Sequence, residues 1–160
     1  MTELTMSPEE AACSALVATL QREGTAVEGL ACRTWMLERS LSGQGVVHVR
    51  DAVAAVDDAV LRLRHSELAR AIVTSAPTDT IGLDAESSLV TVMDEIETPW
   101  NSLLETQRRI ITATLAELDV AVAELRHRVD QDEAHHRELG RLPLSLDRLV
   151  PRSLSRFLAA

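Results

Sequence analysis

VVHVRDAVAAVDDAVLRL, residues 46–63, decides the architecture. Val46, Val49, Val53, Val56, Val60 and Leu63 are spaced 3, 4, 3, 4, 3. Strand alternation cannot generate that series, although valine by itself favours strands, so the stretch is a helix with one apolar stripe. It continues through Glu67, Leu68 and Ile72 and is expected to stop before Pro77, because the residue ahead of a proline avoids helical angles. Working backwards, Leu16, Leu20, Val27, Leu30, Leu37 and Leu41 repeat the pattern after Ser7-Pro8-Glu9-Glu10, a cap, a first-turn proline and two first-turn acids. Gly24 and Gly29 interrupt that helix, which implies a bend or the close approach of a neighbour. Ser42-Gly43-Gln44-Gly45 supplies the turn between the two.

Working forwards, residues 74–87 read as a loop and Leu89 to Ile96 as a short helix. Thr98-Pro99-Trp100 opens a third long helix, with Thr98 as cap. Leu104, Ile111, Leu118 and Leu125 fall at sevens, and Leu115, Val122 and Val129 form a second line four residues behind. That double stripe is what a bundle helix presents to its neighbours. It is expected to run about 40 residues to near Gly140, roughly 60 Å. The fold class is all-α: an elongated antiparallel bundle or coiled coil of three long helices, with a short connecting helix and a short C-terminal amphipathic segment. Residues 1–140 form the bundle domain and residues 141–160 a basic tail.

Composition agrees. Of 160 residues 46% are apolar and 26% charged, as in ordinary globular chains, but aromatics are only 2%, which counts against sandwiches and barrels. The net charge is −9, and every basic residue is arginine. Residues 141–160 carry +3, so the body carries −12. An acidic body repels nucleic acid and anionic lipid, so nucleic-acid binding is not expected. The first ten residues lack the basic and apolar regions of a secretory signal, and no apolar run reaches the ~18 residues of a membrane span. Cys13 and Cys32 lie about 28 Å apart on one helix, too far to bridge within a chain. Both read as reduced thiols in a cytoplasmic protein.

Catalytic patterns are missing. Glu124-x-x-His127 and Glu133-x-x-His136 have the ligand spacing of ferritin-like metal bundles, yet they sit nine residues apart on one helix and face opposite ways. His135 and His136 beside Asp132 and Glu133 read as a solvated helix end. There is no nucleophile elbow, no zinc-protease motif and no phosphate loop, and His48 and His65 lack partners. A non-enzyme without metal or cofactor is expected, acting through helical surface. Two adjacent apolar lines on the third helix offer more oily area than one neighbour covers, so either a partner or self-association buries the rest or the first two helices cover it completely, and periodicity cannot count neighbours.

The run Val49-Arg50-Asp51-Ala52-Val53, then Leu63 to Ile72, a loop with Gly82-Leu83, and Pro99-Trp100-x-x-Leu103-Leu104 resembles FlgN-type flagellar export chaperones, in an actinobacterial style, over roughly residues 30 to 130. The resemblance implies a cytoplasmic chaperone that binds the C-terminal helices of hook-filament junction proteins, prevents their premature assembly and delivers them to the export gate. Helix-in-groove packing suits such a client. Leu115, Leu118, Val122, Leu125 and Val129 are the expected client surface. Leu149, Leu154 and Phe157 are expected to dock at the gate or to fold back over an empty groove. A homodimer is compatible with the long helices. The other readings are a helical scaffold or secretion-associated interaction protein, a tail lying on a membrane, and the metal-binding bundle. The tryptophans lack the W-x-G pattern of secretion-associated hairpins, and Pro151 with a charge of only +3 weakens a membrane-lying tail. The client reading requires Leu118, Val122, Leu125 and Val129 to be open in a lone subunit.

Overall fold

The computed structural model describes residues 6–81, 83–84, 86–132, 137, 140 and 145–159, apart from the side chains of 76–78, 80 and 81. Every regular element among them is helical: α1 (Pro8–Leu41), α2 (Val49–Ile81), α3 (Leu89–Glu95), α4 (Trp100–Gln131), a 3-10 turn (Leu146–Leu149) and α5 (Arg152–Leu158). None is long and apolar enough to cross a membrane.

α1 begins where the sequence places it. Ser7 Oγ accepts from the Glu10 amide at 3.1 Å, and the Ser7 amide donates to Glu10 Oε2 at 2.7 Å, a reciprocal capping box. Ser42 closes the helix, and Gly43 follows at φ +73°, a left-handed angle that side chains resist. α2 then returns along α1. Val46 lies outside it and is fully exposed, so the valine series enters the helix only at Val49. His48 Nδ1 instead accepts from the Arg50 amide at 3.2 Å and caps the helix start.

Two boundaries differ from the sequence reading. α2 passes through Pro77 to Ile81, so residues 74–81 are helix and not loop. A proline removes one amide and crowds one carbonyl, which biases a helix to end without forbidding continuation near its last turn. α4 ends at Gln131, and Asp132 is extended. Asp130 and Asp132 set acidic charge against the negative helix end, and the apolar lines finish at Val129. The helix is therefore about 48 Å long and not 60 Å.

α1 is the central rod. It packs along α2 on one side and α4 on the other, whereas α2 and α4 barely touch. The short connection from Leu41 to Val49 and the meeting of Glu23 of α1 with Arg70 of α2 together set that pair running in opposite directions. Gly24 lies level with Ile111, and Glu38 binds Arg128 at 2.9 Å, so α1 and α4 run the same way. One core joins all three, with Leu16, Leu30, Leu37, Leu104, Ile111 and Leu118 fully buried. At Gly24 a Cβ would lie 3.1 Å from Ile111 Cγ1, so this glycine admits the side chain of α4.

Candidate functional site: the cleft between α2 and α4

Three rods with the first in the middle leave a cleft between the outer two. Residues 145–159 lie in it. The tail runs beside α2 in the same direction: Arg148 Nη1 binds Asp57 Oδ1 at 3.0 Å, and further on Ser153 Oγ accepts from Arg70 Nη2 at 3.1 Å. On the other wall Arg126 faces Asp147 at 3.8 Å, and Arg108 Nη1 donates to the Leu158 carbonyl at 3.4 Å, so the tail runs against α4. Leu149, Leu154, Phe157 and Leu158 are buried beneath it. The sequence explains the shape: Pro151 separates the 3-10 turn from α5, with Leu149 buried before it and Leu154, Phe157 and Leu158 buried after it.

The floor of the cleft is charged. Glu23 is fully buried and Arg70 nearly so; Arg70 Nε donates to both Glu23 carboxylate oxygens at 2.9 and 3.2 Å. The Arg70 guanidinium also lies over the Phe157 ring, 4.4 Å from its centroid, in a cation–π contact. One side chain thus ties α1, α2 and the tail together. Glu67 is buried beside this group; its Oε2 takes Arg64 Nη1 at 2.7 Å, while its Oε1 accepts no hydrogen bond among the described residues. Burial pushes the Glu23 carboxyl above the ordinary carboxylate value, the Arg70 charge and hydrogen bond pull it back, and the Glu67 charge adds to the rise.

These charges carry a signal that the periodicity reading passed over. Continuing the α2 stripe from Val60 and Leu63 by fours and threes lands on Glu67, Arg70 and Thr74, all buried. The α1 stripe likewise lands on Glu23 between Leu20 and Val27. Charged residues at inward register positions on two facing helices are the mark of a buried pair. The apolar residues of that part of α2, Leu68 and Ile72, are displaced outward and stand 62% and 66% exposed.

Of the expected client surface, Leu118, Val122, Leu125 and Val129 are buried in the chain's own core in a lone subunit, and Leu115 is half-buried. The open face that the client reading requires of these four residues is therefore not present in this conformation, because the chain's own core covers it. Leu115, Val122 and Val129 follow Arg108 by sevens, so they share the face of α4 that meets the tail. Leu149, Leu154 and Phe157 are folded back onto the body. Cys13 is buried and Cys32 exposed, both as free thiols. Burial, then the Glu9 charge, push the Cys13 thiol up. No group of three or more metal-type ligands occurs among the described residues; Glu133, His135 and His136 lie outside them. The chain matches no protein-family model, no curated protein and no solved structure.

Proposed function

We propose that this protein is a non-catalytic, cytoplasmic helix-binding chaperone of the FlgN type, which takes the C-terminal amphipathic helix of a hook-filament junction subunit into the α2–α4 cleft. It holds that subunit back from premature assembly and presents it to the export gate. The supporting observation is the cleft itself: a place for a further helix, closed by residues 145–159 with α3 beside them and not by a bundle rod. Each buried tail leucine is worth about 1.5–3 kcal/mol of transfer. A client helix that supplies equivalent apolar residues makes the exchange nearly neutral, and a longer contact along α4 then favours the client. Leu115, Val122 and Val129 line the tail-facing side in this reading, while Leu118 and Leu125 stay in the core that shapes it. The displaced tail, basic and apolar, becomes the segment that docks at the gate.

A second reading is a helical scaffold whose tail is a permanent part of the core; the full burial of Leu118 and Leu125 favours it. One experiment separates the two. Wild-type protein and a Leu154→Asp/Phe157→Asp variant are co-purified with junction proteins, either full length or lacking their C-terminal helices. The chaperone reading expects stronger retention by the tail-opened variant, and only of the full-length client. Equal retention of both client forms, or of neither, rejects it.

A further inference from the structure

The outer face of the α1–α2 pair carries a second groove, on the side away from the tail. Gly29 is five residues, about 140°, round α1 from Gly24, which faces α4. Arg62 is five residues round α2 from Asp57, which binds the tail. The groove encloses about 770 Å³ and extends along α1 from Thr19 to Arg33, about 21 Å, or four helical turns.

Its floor is small and its rim is basic. Ala26, Gly29, Ala55 and Ala59 form the trough. A Cβ placed on Gly29 would meet nothing within 4 Å, so this glycine serves no internal contact. Two antiparallel ridges over small residues accept a third helix by ridge-in-groove packing.

Charge selects among partners. Arg22, Arg33, Arg62 and His65 line the groove against one carboxylate, Asp58, which already binds Arg62 at 2.6 Å. Arg22 donates to the Thr19 hydroxyl and Arg33 to the Met36 sulfur; neither forms an ion pair among the described residues. Most other described arginines on the body, by contrast, have a carboxylate partner. On a chain of net charge −9, two guanidiniums left over beside an apolar trough form a local positive field, and the acidic charge elsewhere is screened beyond about 8–10 Å. The basic tail of a second copy would be repelled here.

We propose that the α1–α2 groove is a docking site for an acidic amphipathic helix of a partner protein, its apolar side chains over Ala26, Gly29 and Ala59 and its carboxylates on Arg22 and Arg33. The site is separate from the α2–α4 cleft and stands whether or not the tail is displaced.

The test uses two fluorescent helical peptides about 20 residues long with one leucine and alanine face, flanked by glutamate in one and lysine in the other. Full-length protein is titrated into each at low and physiological salt. The glutamate peptide is expected to bind at least about tenfold more tightly, with affinity falling as salt rises. Gly29→Leu, which fills the trough from the solvent side, is expected to weaken it about tenfold, equal to about 1.4 kcal/mol. Arg22→Glu/Arg33→Glu reverses the preference. Thermal midpoints no lower than that of the wild type, with unchanged helix content, show that the variants are folded. Equal binding of both peptides, no binding of either, or no effect of Gly29→Leu overturns the proposal. So does a wild-type dimer in sedimentation that Gly29→Leu makes monomeric, since the occupant is then a second copy.

Discussion

Replacing Arg70 with methionine tests the charged floor of the tail cleft directly. The substitution keeps the length of the side chain and removes the one cation that meets Glu23, a fully buried carboxylate, among the described residues. Leaving one member of a buried pair uncompensated costs about 3–5 kcal/mol. Loss of the Phe157 contact adds about 0.5–2 kcal/mol. At about 2–4 °C per kcal/mol for a chain of this size, the thermal midpoint should fall by about 10 °C or more. The pH dependence identifies the cause. Glu23 in the folded protein already titrates above its ordinary value, and removing Arg70 withdraws the influences that lower it. A raised carboxyl favours the folded state below its unfolded value, and that contribution is lost as pH climbs through the folded value. The penalty in Arg70→Met is therefore largest at neutral pH and shrinks as pH falls through the carboxylate range. The double replacement Glu23→Leu/Arg70→Met, which removes both charges, should recover most of the loss. Urea unfolding of the four proteins at neutral and acidic pH measures both effects. A penalty that is independent of pH, or a double variant as unstable as the single, refutes the account.

Other substitutions probe the tail and the two helix faces. Phe157→Ala removes the ring over Arg70, and hydrogen exchange should show residues 145–159 losing protection while α1 stays protected, because the tail can open without the core. Gly29→Ala should raise stability by about 0.5–1 kcal/mol, since the new methyl enters open space on an ordinary helical backbone. Gly24→Ala should gain less or lose, because its methyl crowds Ile111 at 3.1 Å; the two thermal midpoints compared side by side decide this. Cys32 should react with a thiol reagent in the native protein within the time that Cys13 stays unmodified, and equal rates would contradict the burial of Cys13.

Much of the architecture is legible in single stretches of chain. Val49 to Leu63 cannot be a strand, Ser7 to Glu10 cap a helix by local hydrogen bonds, and Gly43 stops one by its own backbone angle. The line Leu104, Ile111, Leu118 and Leu125 reads as an apolar stripe that a bundle helix presents to a neighbour; all four are fully buried, including Leu118 and Leu125, which the sequence reading expected to be open to a client. These are local or one-sided properties, set by a period of 3.6 residues and by neighbours three or four positions away.

Tertiary structure decided the rest. Periodicity shows that a helix has an apolar face but cannot count what covers it, so the enclosure of Val122 and Val129 depended on how three rods are arranged around α1. Gly24 and Gly29 are alike in sequence; one is pressed by Ile111 and the other opens on a groove only because α4 chose one side of α1. Glu23 and Arg70 stand 47 residues apart, and Arg70 reaches Ser153 across another 83. No local rule joins them: two charges share a buried site only when the chain brings their helices together and the loss of water is offset by the pairing.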